Sequence, residues 1–403
     1  MNVFVARQPV FKIDKTIFGY EILFRKGFEN TFPDIDGDIA TSTVLSNTFF
    51  SLDIKEILGN KPGFINFTKK MILQKTPLLF SPAHIIVEIL EDIDPDRSVI
   101  DAVKAIKKKG FTIVLDDFIY HKRFKPMMDL CSIIKFDIIA TPLETLGDIV
   151  FNIKQEYDIT FLAEKVETYD EFEQAKEIGF SLFQGYFFSK PEILSGREIS
   201  PVQTTKLKLI SEINHTELNL KAVEDLIRKD VSLSFKLLKF INSAYFKRPT
   251  PINTIKDAIT YLGVDELKKF INIATVSDLN ADKPNELVRS AMIRARMCEL
   301  CGTCLKTSFS TEELFTLGLF SHMDAMLDLP MEKILETITL SDKIKAALSR
   351  KDMEFKEIIH LVSDFERGDW LKSLDTILSG FPIEDKLPEF YLDAIRMVNT
   401  FFK

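Results

Sequence analysis

The chain has only four cysteines in 403 residues, at positions 131, 298, 301 and 304. They are too few and too clustered for a disulfide framework, so a reducing compartment fits best. No apolar run approaches the roughly 20 residues that span a bilayer. The opening stretch, MNVFVARQPVFKIDKT, lacks the basic-then-apolar order of a signal peptide. Both absences predict a cytoplasmic protein with no membrane insertion. Positive charge is not in excess either: 52 Lys and Arg stand against 60 Asp and Glu, a net charge of −8. That balance argues against a general nucleic-acid surface. An anionic ligand would therefore need local cations, either basic side chains or metal. Internal repeats and low-complexity tracts are also missing. What is present is an ordinary globular composition, 46% hydrophobic and 28% charged, with 35 phenylalanines to fill cores. The length accommodates two domains.

The two halves follow different patterns. Up to about Pro191, short β-rich runs alternate with helical segments, the pattern of a parallel α/β domain. The runs are GYEILFR (19–25), GFINFT (63–68), HIIVEIL (84–90), FTIVLDD (111–117), SIIKFDI (132–138), ITFLAE (159–164) and SLFQGYFF (181–188). Between them, DPDRSVIDAVKAIKKKG and ETYDEFEQAKEIG have the start and stop residues of capped helices, closing on Gly110 and Gly179. The lysines of KAIKKKG lie on a solvated face near the end of their helix, where basic residues suit the helix dipole. Beyond about residue 200 the β-rich runs stop, and apolar residues recur at helical spacing, as in LSFKLLKFINSAYF. The expected architecture is a TIM-like (β/α)8 barrel over residues 1–198 followed by an all-helical domain over 199–403. The junction lies near ILSGREISPVQTTKL.

The polar residues within the strands carry the chemistry. Glu21, Asn66, Glu88, Asp116, Lys135, Glu164 and Gln184 follow or interrupt apolar runs, at gaps of 45, 22, 28, 19, 29 and 20 residues that suit βα units. In a closed barrel such positions converge on one mouth, where these folds keep their active sites. A single carboxylate there is explained by helix capping or a surface lysine; the whole set is not. With Asp117 the set holds five carboxylates, which would repel one another without cations. Hard oxygen ligands suit Mg²⁺ or Mn²⁺, and a divalent pair can activate water against a phosphodiester.

Those same motifs give the first half a specific resemblance. The triplet Glu21-Ile22-Leu23 in YEILFR, with FINFT, VEILE, LDDF, IKFD, AEKVE and QGYFFSKP in order, resembles the EAL domain family, which hydrolyses cyclic di-GMP. Ile22 replaces the usual Ala. By matching position, the resemblance implies that Glu21, Asn66, Glu88 and Asp116 bind a first metal and Asp117 a second. It implies that Lys135 contacts the attacking water and that Glu164 and Gln184 complete the site. It also implies that Arg25 meets substrate phosphate, with Leu23 and Pro191 lining the ligand groove, while Glu91 and Glu167 anchor the loop after the aspartate pair.

That loop departs from the family. Active members follow the pair with Phe and a glycine-rich segment that supports the metals and subunit pairing. Here it reads Phe118-Ile119-Tyr120-His121-Lys122-Arg123, with neither glycine, and cannot follow the same backbone path. Weak or absent phosphodiesterase activity follows; the alternatives are a fully active Mg²⁺- or Mn²⁺-dependent enzyme and an inert scaffold. The altered loop leaves homodimerisation open.

The second half resembles the HDOD family through DVSLSFKLLKFINSAYF, INTIKDAITYLG and ELFTLGLFSHMDAML. That family is related to HD phosphohydrolases, whose metal sites need an adjacent His-Asp pair. None of the five histidines, at 84, 121, 215, 322 and 360, precedes Asp directly; Met323 separates His322 from Asp324. The resemblance therefore implies an interaction or output module with an unidentified protein partner. Cys298, Cys301 and Cys304 have C-x₂-C-x₂-C spacing, which can hold zinc or an iron–sulfur cluster, but on a helix it traces one buried face. The buried face is the expectation.

Overall fold

The computed structural model describes residues 3–26, 57–190, 201–214, 220–243, 246, 250–279, 283–338, 340–349, 351–368, 383 and 386–402. The chain divides into two compact units, Met1–Phe188 and Ser189–Lys403.

The first unit is a closed eight-stranded barrel. Its strands are β1 Val3–Lys12, β2 Ile17–Lys26, β3 Gly63–Phe67, β4 Ile85–Ile89, β5 Thr112–Leu115, β6 Ile133–Asp137, β7 Thr160–Glu164 and β8 Leu182–Gln184. Strands β2 to β8 run parallel, as expected. The added strand β1, which lies before the first β-rich run read from the sequence, is antiparallel to both β2 and β8 and closes the barrel between them. Pro9 sits within β1, where its missing N–H disrupts a ladder. It is tolerated because the pairing with β8 begins only at Val10. The run 181–188 is also shorter as a strand than its composition implies. It turns at Gly185 after Gln184 and ends in a 3₁₀ turn, Phe187–Ser189.

The helices end where the sequence places their caps. In α1, Arg97–Lys108, the Asp96 side chain accepts from the Val99 N–H. Helix α2 is Leu143–Glu156. Helix α3, Tyr169–Ile178, begins with a reciprocal box between Thr168 and Glu171 and stops at Gly179. Phenylalanines seal helices to strands, Phe172 lying 4.4 Å from the Phe183 ring centroid and 4.9 Å from that of Phe187.

The barrel interior is layered by the two-residue period of its strands. Val10, Phe64, Ile86, Val114, Ile133, Leu162 and Leu182 form one apolar cluster, one residue from each strand except β2. Two residues further toward the mouth stand Asn66, Glu88, Asp116, Lys135, Glu164 and Gln184. The polar ring thus rests on a dry floor.

Among its described residues the second unit is helical. Its longer helices are α4 Pro201–Ile213, α5 Leu220–Lys229, α6 Val231–Ile241, α7 Ile255–Leu279, α8 Asn285–Gly302, α9 Thr311–Phe320, α10 Met353–Arg367 and α11 Leu387–Phe401. Helix α7 breaks direction at Gly263. Leu237, Phe240, Ile241, Leu267 and Phe270 lie in the core formed by α4 to α7. No described helix is long and apolar enough to cross a membrane.

Gly185 is the tightest point at the mouth. Its φ is +149°, and a Cβ there would lie 2.0 Å from the Val166 carbonyl oxygen. Gly59 also has positive φ, +61°, but faces open space. Gly185→Ala should therefore destabilise the barrel by more than ~2 kcal/mol, against about 1 kcal/mol for Gly59→Ala. Urea unfolding of the two variants measures this, and equal losses would contradict it.

Candidate metal and nucleotide site

Four carboxylates surround one ammonium at the barrel mouth. Lys135 Nζ lies 2.7 Å from Asp116 Oδ1, 2.8 Å from Glu164 Oε1, 2.9 Å from Glu88 Oε1 and 3.6 Å from Glu21 Oε2. Lys135 is 1% exposed and Glu88 fully buried, so water does not screen the cluster. Two amides hold Glu21 in place. Asn66 Nδ2 donates to Glu21 Oε1 at 3.2 Å, and Gln184 Nε2 donates to Glu21 Oε2 at 2.6 Å.

The electrostatics follow from burial and crowding. Burial raises the Glu88 carboxyl well above its usual range, with Glu21 and Asp116 adding to the rise and Lys135 opposing it. Glu164 is pushed up to about 8, by burial first and then by Asp116 and Glu21, again against Lys135. For Lys135, burial disfavours the charged form, but the four surrounding carboxylates outweigh it and raise its pKa. At an effective dielectric of about 20, opposite unit charges about 3 Å apart attract by roughly 5 kcal/mol. Several such contacts offset the several kcal/mol needed to desolvate each ion.

The strand ends aim these groups. Asp116 is fixed by its N–H donating to the Ile89 carbonyl, and the N–H of Phe118 donates to the Lys135 carbonyl. Asp117, Lys165 and Gly185, each directly following a member of the ring, all have positive φ. Left-handed backbone in non-glycine residues gathers at functional sites. Asp117 is half-buried beside the ring. Glu91 is exposed in the turn after β4; partial burial, with Asp117 and Asp116 nearby, raises its carboxyl. Glu167 is exposed at the start of α3, its N–H donating to Glu171 Oε2. Both stand outside the buried ring. Leu23 is half-buried, two residues beyond Glu21 on β2. Pro191 and the Arg25 side chain lie outside the described residues.

The loop without glycines has a packing solution of its own. Phe118 is buried between Phe124 and Phe136, at ring distances of 5.7 and 5.9 Å. Arg123 pairs with Asp94 across the rim at 2.9 Å. Ile119 and Tyr120 point to solvent.

The oxygens of the ring suit a divalent cation. Both Glu88 oxygens, Asp116 Oδ1, Asn66 Oδ1 and Gln184 Oε1 are buried without a well-aligned hydrogen-bond donor, as is Lys135 Nζ on the donor side. The ammonium, 2.7 to 2.9 Å from three of the carboxylates, balances their charge, while Glu88 Oε2, Asn66 Oδ1 and Gln184 Oε1 are buried without a hydrogen-bond donor. A hard, non-directional ion matches that donor set. Among the described residues no three His, Cys, Asp or Glu side chains are spaced for a metal as they stand.

One member of the ring escaped the sequence reading. Gln8 on β1 accepts from Gln184 Nε2 at 2.9 Å. The alternation of β1, with Val10 in the apolar floor and Gln8 two residues away, is the signal that could have found it.

In the second unit, Cys298 and Cys301 are fully buried on α8. Burial raises both thiols, Cys301 to about 12. Cys304 departs from the expected buried face: it lies beyond the end of α8 and is half-buried. His322 is buried, its Nε2 3.4 Å from Ser290 Oγ.

Fold and site together define a TIM-type barrel with an acidic, lysine-centred mouth, joined to a helical unit. The EAL domain family matches residues 38–191 and the HDOD domain family residues 199–362. The chain is 36% identical over 387 residues to a protein named cyclic di-GMP phosphodiesterase CdgJ from Vibrio cholerae, covering 95% of this chain and 90% of that one. It is 35% identical over 410 residues to the uncharacterized protein YuxH from Bacillus subtilis, covering 98% of each. Among solved structures, a calcium and cyclic di-GMP complex of BlrP1 from Klebsiella pneumoniae is similar at 21% identity and a TM-score of 0.39, over 47% of this chain and 56% of that one. A cyclic di-GMP complex of the PaMucR phosphodiesterase is similar at 16% identity and a TM-score of 0.38, over 46% and 95%. The chain belongs to the family of proteins that join an EAL domain to an HDOD domain.

The raised Glu164 pKa has a definite sign. Its acid form is favoured by folding, so its contribution to stability is complete below about 4.5, the ordinary value, and is lost as pH rises toward about 8. In chelator, the barrel should melt at a higher temperature at pH 5 than at pH 8.5. Lys135→Met, which leaves buried carboxylates unpaired, should cost a further ~3 to 5 kcal/mol at the higher pH. Melting curves that coincide at the two pH values would contradict the assignment.

Proposed function

We propose that the barrel binds cyclic di-GMP at its mouth together with Mg²⁺ or Mn²⁺, and that it hydrolyses the nucleotide weakly or not at all. Glu21, Asn66, Glu88 and Asp116 would hold a first cation and Asp117 a second. Bound there, the cations would neutralise phosphate and lower the pKa of the attacking water. Lys135 orients that water, and Glu164, its Oε1 2.8 Å from the lysine, is placed to exchange a proton there. Gln184 steadies Glu21. Arg25 meets phosphate, with Leu23 and Pro191 against the nucleotide, and Glu91 and Glu167 support the loop after Asp117. The observation that carries this reading is the single ring in which four carboxylates meet one buried lysine. The name of the Vibrio cholerae relative supports the choice of nucleotide.

Weak turnover rests on the loop Phe118–Arg123, which lacks the glycines of active family members. Full activity is the second reading, favoured by the buried Phe118 and the Arg123–Asp94 pair, which give this loop its own anchorage. The helical half serves as an interaction or output module for a protein partner. In support, Met323 parts His322 from Asp324, so the adjacent His-Asp pair of the HD phosphohydrolases is missing.

Purified protein incubated with cyclic di-GMP and Mn²⁺ tests the proposal. Calorimetric binding should be accompanied by slow appearance of linear dinucleotide, and Glu21→Ala should abolish turnover. Neither binding nor turnover would leave the barrel as a scaffold. Rapid turnover would favour the second reading.

A further inference from the structure

We infer that Gln8 is a positioning residue of the barrel site: its side-chain oxygen fixes the direction of the Gln184 amide and, through it, the carboxylate of Glu21. The inference rests on the reading of the mouth as a divalent-cation site. The register of β1 puts Gln8 directly opposite Glu21. The pairing of Val10 with Gln184 brings β8 alongside on the other edge. β1 is thus the one strand that touches both, and Gln8 is its contribution to the polar layer.

The hydrogen bonds form a short relay. Gln184 Nε2 donates to Gln8 Oε1 at 2.9 Å and to Glu21 Oε2 at 2.6 Å, while Asn66 Nδ2 donates to Glu21 Oε1 at 3.2 Å. A glutamine amide can turn end for end, exchanging its oxygen and nitrogen with little change of shape. Turned over, Gln184 would set its oxygen against two acceptors, one on Glu21 and one on Gln8. Both would repel it, and at 5% exposure no bulk water relieves the clash. Once a cation draws charge from Glu21, the Gln8 oxygen is the acceptor that still holds the amide in place. Groups that orient a metal ligand in this way commonly govern affinity by about 10- to 100-fold.

Mn²⁺ affinity, measured by calorimetry on the full chain, tests the relay. Gln8→Met keeps the length of the side chain but has no oxygen acceptor, and should weaken Mn²⁺ binding by about 10- to 100-fold. Its melting temperature in chelator should stay within a few degrees of wild type. If Gln8→Met does not fold, Gln8→Asn, which withdraws the acceptor by one methylene, should weaken binding in its place. Equal affinity in wild type and either variant would overturn the relay. A wild-type chain that takes up no Mn²⁺ would overturn the cation reading beneath it as well, so the two failures are distinguishable.

Discussion

The barrel has to accommodate the repulsion among four carboxylates packed into one water-poor layer. Glu21, Glu88, Asp116 and Glu164 are brought together by strands remote from one another in sequence, and the fold tolerates them because the Lys135 ammonium lies among them. That arrangement balances their charge. Several oxygens keep unused hydrogen-bonding capacity, and the Glu88 and Glu164 carboxyls are raised rather than lowered despite a lysine within 3 Å. Buried oxygens in this condition gain from added positive charge, whether a proton or a cation.

The geometry that creates the repulsion is simple. Each strand from β3 to β8 places one apolar residue in the floor and, two residues on, one polar residue in the layer above. Parallel βα units alone would leave β2 and β8 as unpaired edges. The antiparallel β1 joins them and inserts Gln8 where Glu21 and Gln184 meet. Closure of the sheet and completion of the polar layer are therefore one event. Glycine at 185 lets β8 turn away immediately beyond the layer.

Much of this was legible in the sequence because strand periodicity is a local property. Apolar runs interrupted near their ends by Glu, Asn, Asp, Lys or Gln at βα spacing are sufficient to predict a barrel mouth. Asp96, Thr168 and Gly179 mark their helix ends through side-chain and backbone chemistry that acts over three or four residues. β1 was less legible, since Pro9 breaks its pattern and its antiparallel pairing is set by the turn to β2. The matched EAL segment likewise begins only at residue 38. Spacing also does not reveal which carboxylates touch which cation. That Lys135 is the shared partner of four acids depends on side-chain reach across the barrel, a property of the closed sheet. In the helical half, the cysteine spacing was ambiguous between ligand set and buried face, and α8 buries Cys298 and Cys301 completely.

The central claim is that the polar layer of the barrel is a cation site held ready by Lys135. Anomalous scattering from crystals soaked in Mn²⁺ tests it most directly. The account predicts a manganese peak in contact with oxygens of Glu21, Asn66, Glu88 and Asp116, with the Lys135 ammonium displaced from its present position among the carboxylates. Crystals with Mn²⁺ bound only elsewhere, and Lys135 still paired with all four acids, would contradict it.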